Sequence, residues 1–177
     1  MRPAELEVRL HEADSVSRTL ALVGERWTLL ILRETFFGVR RYGEFARNLN
    51  IPRPTLSARL KTMVDAGLLD RVRYATDPDR HEYRLTTAGR DLFPAVVMLM
   101  RWGDVHLAGP EGPPILLRHN ECGEISESYV ACGHCGGPIT ADAVTPEPGA
   151  DPVAAERLRG RQRPPGGRRQ GPRAVRG

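Results

Sequence analysis

No run of apolar residues in this 177-residue chain approaches the ~18 that a membrane span needs. Its opening stretch, MRPAELEVRLHEADS, has no apolar core of the kind a secretory signal carries. The expectation is a cytoplasmic protein with no membrane partner. Cysteine is scarce: three residues, all between Cys122 and Cys135. An odd number crowded into one short segment argues against a disulfide framework and toward a metal or a reactive thiol. A Gly-rich phosphate loop and an HExxH metalloprotease signature are both missing. Ser, His and Asp occur, but nothing in the sequence draws them together, so the expectation is a protein that is not an enzyme. No internal repeat is evident. The length and the 40% hydrophobic content allow one modest core plus appendages.

The net charge of +4 is unevenly spread. From Asp151 to Gly177 eight arginines face two acidic residues, a balance of +6, which leaves residues 1–150 at −2. Total charge therefore says little about nucleic acid. Local charge says more: between Arg40 and Arg84 ten basic residues face six acidic ones.

The stretch IPRPTLSARLKTMVDAGLL, residues 51–69, carries a helix pattern. Leu56, Leu60, Met63 and Val64 fall on one face, while Thr55, Ser57, Arg59, Lys61 and Thr62 lie largely off it. Pro54 suits the first turn and Gly67 the position past the end, giving a helix from Thr55 to Ala66. Before it, Tyr42–Leu49 is a short amphipathic segment with Tyr42, Phe45, Ala46 and Leu49 inward. Earlier still, Asp14 or Ser15 caps an apolar helix interrupted at Gly24, in which Trp27 reads as a core anchor. Glu25-Arg26 and Arg33-Glu34 read as ordinary helix-surface charges. After Gly67, Leu68–Tyr74 and His81–Leu85 alternate as two strands around the turn signal ATDPDR. Two helices, a short turn and a basic hairpin make a winged helix-turn-helix. A further helix follows Thr86 or Thr87, with Pro94 kinking it or splitting it after Leu92. Its apolar edge, with that of the first helix, reads as a dimer surface or as packing within the same chain.

Candidate DNA contacts are Arg53, Thr55, Ser57, Arg59 and Lys61 on the helix, with Arg80 and His81 at the wing tip. Ser57, Arg59 and Lys61 stand out among them. The second motif is a pair of turns, HNECG and CGHCG, eight residues apart. His119, Cys122, Cys132 and Cys135 would supply four ligands to a closed tetrahedral Zn2+ site with a structural role, and His134 is an alternative to His119. Strands are expected at Ile115–Leu117 and around Glu127–Ala131. Without metal the same stretch is two glycine turns with free thiols.

With these elements placed, the chain resembles the HxlR-type family of bacterial winged helix-turn-helix regulators. The residues that carry the resemblance are VSRTLALVGERWTLLILRETFFGVRRYGEFARNL, then LSARLKTMVDAGLLDR, then EYRLTTAGRDLFPAVVMLMRWG. It spans roughly residues 14–106 and implies a dimeric regulator on an inverted-repeat operator. Two departures stand out. Relatives commonly carry a cysteine near the start of the first helix, where this chain has Asp14. Their recognition helix commonly opens with a Ser cap, where this chain has Pro52-Arg53-Pro54.

The expected architecture is mainly α with a small β-hairpin wing: an N-terminal arm (1–13), a winged helix-turn-helix DNA-binding and dimerisation domain (14–107), a linker (108–114), a zinc-ribbon-like unit (115–143) and a disordered Pro/Gly/Arg-rich tail (144–177). The expected function is a transcriptional regulator, a homodimeric repressor of double-stranded DNA. The alternative is a zinc-ribbon protein-interaction module on a dimeric helical scaffold. A small-molecule effector is compatible with either and is not identified by the sequence.

Overall fold

The structure, a computed structural model, describes residues 14–152, 155 and 156. Contacts divide the chain into a unit of residues 19–138 and a second unit combining residues 1–18 with 139–177. The expected N-terminal arm lies outside the described residues, as does most of the expected tail. Residues 144–151 form no helix or strand. Among the described residues no helix is long and apolar enough to cross a membrane.

Helix α1, Ser15–Val23, starts where Asp14 accepts hydrogen bonds from the Val16 amide and the Ser17 hydroxyl. It ends at Gly24, as expected. The Gly24 amide donates to Leu20 O at 2.7 Å, and a Cβ on Gly24 would stand 2.5 Å from that same oxygen. Only a glycine fits there. The chain restarts at Glu25, whose carboxylate accepts from the Trp27 amide and caps α2, Arg26–Phe36. Helices α3, Tyr42–Leu49, and α4, Arg53–Asp65, follow. Between them Asn50 adopts a left-handed conformation (φ 48°), which Asn tolerates better than most residues. Buried Ile51 anchors the turn from inside.

Strand β1, Leu69–Thr76, pairs antiparallel with β2, Asp79–Leu85, from Leu69↔Leu85 to Thr76↔Asp79, with an irregularity between Arg73 and Ala75. The strands are longer than the alternation suggests, and the turn is Asp77–Pro78 alone. Arg80 and His81, expected at the tip, therefore lie inside β2, opposite Ala75 and Arg73. The ladder's backbone bonds extend the pairing past the point where side-chain alternation fades. Arg41 adds an isolated bridge to Glu82 at the other edge of β2. Then come α5, Thr87–Arg90, and α6, Phe93–His106, with Pro94 in the first turn of α6 as expected.

The core gathers Ile31, Leu32, Phe45, Leu56, Leu60, Met63 and Leu69, each at most 1% exposed. Each such side chain contributes on the order of 1.5–3 kcal/mol of transfer free energy. The predicted inward face of α4 is the observed one, with Val64 half-buried beside it. Trp27 packs half-buried against the core, with the Arg26 guanidinium 4.2 Å from its ring centre. The strands expected at Ile115–Leu117 and near Glu127–Ala131 do not form. That segment holds only two isolated bridges, because each of its turns closes on itself.

Candidate nucleic-acid interface

Helix α4 buries one face and leaves the other outward. Arg53, Ser57 and Lys61 are exposed, and Thr55 and Arg59 are half-buried. Besides the shared core, one hydroxyl ties α4 to α3. Tyr42 of α3 donates to Arg53 O at 2.9 Å and lies 3.1 Å from Ser57 Oγ. A phenol has one proton. With it committed to the carbonyl, the Ser57 hydroxyl must donate to Tyr42. Ser57 is then left as an acceptor, suited to a base amino group and not to a phosphate.

The other singled-out residues also have partners. Arg59 Nε lies 3.3 Å from Glu25 Oε2 at the start of α2, an ion pair without hydrogen-bond geometry. The rest of its guanidinium remains available. Lys61 pairs with Asp65 one turn on, with 76% of its side chain exposed. Such exposed i,i+4 pairs are worth only about 0.3–0.5 kcal/mol, so another anion can compete for Lys61. Arg53 has no hydrogen bond or ion pair from its side chain among the described residues. It stands in the first turn of α4 with its side chain exposed.

On the wing, Arg73 pairs with Asp79 at 2.6 Å, and His81 Nδ1 lies 3.1 Å from the Arg71 guanidinium. Arg80 is exposed. Arg41 stacks its guanidinium 5.0 Å from the Tyr74 ring centre. Burial pushes the Tyr83 phenol pKa above its usual value. The Arg41 amide, donating to Glu44, holds that carboxyl below the usual glutamate range.

Two pairs read as plain surface charges do more than that. Glu25 both caps α2 and meets Arg59. Glu34 is buried, with Asn48 Nδ2 at 2.7 Å and Arg33 at 2.8 Å. It ties α2 to α3. Neither role is visible locally, since Asn48 and Arg59 arrive from 14 and 34 positions further along.

Helix α6 is apolar on two sides. Val96 and Val97 face inward, and Phe93 meets Phe36 of α2 edge-to-face at 4.9 Å. Leu99, Trp102 and Val105 form an outward stripe, each more than half exposed. Leu20 and Leu22 of α1 are exposed as well.

The four expected metal ligands sit in two turns. His119 Nδ1 is 3.3 Å from Cys122 Sγ. In the second turn Cys132 has its thiol pKa lowered, chiefly by the Cys135 amide, then by the His134 amide and the Cys135 side chain. Among the described residues no three His, Cys, Asp or Glu side chains converge as a metal-holding group, so the two pairs remain separate.

Residues 22–110 match the HxlR-like helix-turn-helix family. The chain is 67% identical over 138 residues to an uncharacterized HTH-type transcriptional regulator of Mycobacterium tuberculosis, covering 78% of this chain and 87% of that one. It is 33% identical over 94 residues to the uncharacterized HTH-type transcriptional regulator YtcD of Bacillus subtilis, covering 52% and 75% of the two chains. Among solved structures it is similar to PA1607, taken to be a transcription factor, with TM-score 0.68 and 32% identity over 76% of this chain and 94% of that one. A second such structure, PA1374 from Pseudomonas aeruginosa, gives TM-score 0.57 and 35% identity over 81% and 97%.

Proposed function

This chain belongs to the HxlR-like helix-turn-helix family and is a DNA-binding transcriptional regulator, not an enzyme; we propose that it acts as a homodimeric repressor on an inverted-repeat operator. The observation that carries this reading is the outward face of α4, held against α3 by the Tyr42 hydroxyl and bearing Arg53, Thr55, Ser57, Arg59 and Lys61. Each protomer lays α4 in a major groove, and Arg80 and His81 of the wing meet the flanking backbone. Arg53 reaches bases or phosphate from the first turn, Lys61 neutralises phosphate, and Ser57 accepts from a base. The outward stripe of α6, with exposed Leu20 and Leu22 of α1, supplies the apolar surface that a second copy covers. Half-sites then lie about one helical turn apart, ~34–36 Å. The competing expectation, a zinc-ribbon protein-interaction module on a dimeric helical scaffold, is not favoured by the relatives, which carry the name of HTH regulators.

The test is a salt-matched shift titration on an operator selected from genomic fragments, with light scattering on the free protein. The free chain should have the mass of a dimer. Arg53→Ala should weaken specific binding by about 1–3 kcal/mol, the range for a good base contact. Lys61→Ala should weaken all sequences alike and lower the salt slope by about one. A monomeric chain, or unchanged affinity in both variants, would overturn the arrangement.

A further inference from the structure

The cysteine-bearing segment, which the DNA-binding reading leaves unused, holds a repeat that the sequence hides. Each turn is closed by the same two backbone bonds. The amide of its first residue donates to the carbonyl five positions on: His119 to Glu124 at 2.9 Å, and Cys132 to Gly137 at 2.8 Å. The amide four positions on donates back: Gly123 to His119 O and Gly136 to Cys132 O, both at 2.8 Å. Gly123 and Gly136 have φ of 75° and 72°, the left-handed conformation that glycine adopts without penalty. The flanking bridges are Arg118↔Ile125 and Ala131↔Pro138. Every one of these positions in the second turn is the first-turn position plus thirteen. The same shift carries His119 onto Cys132 and Cys122 onto Cys135. Two copies of one backbone device therefore present one pair of soft or borderline ligands each.

Nothing else in the segment accounts for its order. No residue from 107 to 138 is buried. Leu116, Tyr129 and Val130 are about half exposed or more. A cleft of about 850 Å³ lies between the Phe93, Pro94 and Val97 side of α6 and the Leu117, His119 and Tyr129 side of the segment. A stretch this short with no core needs a cross-link. A disulfide serves poorly: Cys132 with Cys135 would staple only a turn that is already closed and leave Cys122 alone. A 138-residue match in a 177-residue chain starts no later than residue 40 and ends no earlier than residue 138, so the similarity to the M. tuberculosis relative runs across both turns.

We propose that the two turns together hold one zinc ion through His119, Cys122, Cys132 and Cys135. Three thiolates and one imidazole are a set that zinc takes in tetrahedral structural sites. Four protein ligands leave no open position, so the ion cross-links the segment and does no chemistry on a substrate. One ion held by both turns ties the first pair to the second. Binding also releases protons from the thiols, because zinc binds thiolate.

The test uses the full-length chain, purified reduced, with metal analysis and titration by Co2+ as the probe. About one zinc per chain is expected, and Co2+ should give the intense d–d and sulfur charge-transfer bands of a tetrahedral thiolate site. Cys122→Ala and Cys132→Ala should each weaken Co2+ binding by at least about tenfold, with the helical circular dichroism unchanged because neither thiol is in the core. His119→Cys should keep the site and raise the charge-transfer intensity by roughly a third, as three thiolates become four. Less than about half an equivalent of zinc would overturn the proposal, as would binding indifferent to Cys122→Ala, which would leave a site made by the second turn alone.

Discussion

Gly89 sits at the junction of the wing and α5, and replacing it with alanine should be among the more damaging single-methyl changes in the molecule. A Cβ there would stand 2.1 Å from Leu68 O and 3.1 Å from Leu85 Cδ2. Real Cβ–oxygen contacts do not fall below about 3 Å, so backbone must move by about 1 Å. Leu68 O is not free to yield, since it accepts from the Thr86 amide at 3.2 Å while the Thr86 hydroxyl holds the neighbouring Gly67 O at 2.6 Å. Thr86 in turn caps α5 through the Gly89 amide at 3.0 Å. Overpacking costs about 1–3 kcal/mol, and the disturbed hydrogen bonds add roughly 0.5–1.5 kcal/mol each. The better helix propensity of alanine returns up to about 1 kcal/mol. The net expectation is a loss of about 2–4 kcal/mol, a fall in Tm of roughly 10–25 °C for a domain of this size. Urea unfolding followed by far-UV circular dichroism measures it. Gly43→Ala is the matched control: it lies in α3 with nothing within 4 Å of the added carbon, and should be neutral or stabilising by up to about 1 kcal/mol. A Gly89→Ala loss below about 0.5 kcal/mol would refute the reasoning, because the geometry then has slack that these contacts deny.

Two further outcomes are expected. Glu25→Ala removes the α2 cap and frees Arg59, so stability should fall by about 0.5–2 kcal/mol while operator affinity holds or rises; a tenfold loss of affinity would mean that Glu25 aims Arg59 at DNA. Glu44 has a lowered carboxyl pKa, so it favours the folded state above the ordinary glutamate value, and that contribution is lost as pH falls through the lowered one. Glu44→Gln should therefore flatten the acid limb of stability below pH 4.5, and superimposable urea midpoints across that range would contradict the link.

Local pattern carried most of the fold. The α4 stripe, the break at Gly24 and the split at Pro94 are short-range signals of periodicity and backbone constraint, and each appears where it reads; the hairpin reads correctly as a pair of strands but too short. What did not read is what depends on distant partners. Glu25 and Glu34 look like solvated charges until Arg59 and Asn48 come to meet them. Ser57 looks like a free hydroxyl until Tyr42 takes it up. The wing tip was misplaced because alternation stops before strand pairing does. The repeated turns went unseen because HNECG and CGHCG share only a cysteine and a glycine in register, while what repeats is the hydrogen bonding of the backbone.

The contact between Glu25 and Arg59 joins α4 to the residue that restarts the chain after its glycine break. Thermodynamic reciprocity gives that contact two directions. If operator DNA draws Arg59 away, the α1–α2 junction loses a restraint and becomes easier to bend. Equally, any molecule that prefers a bent junction loosens Arg59 and alters affinity for the operator by the same factor.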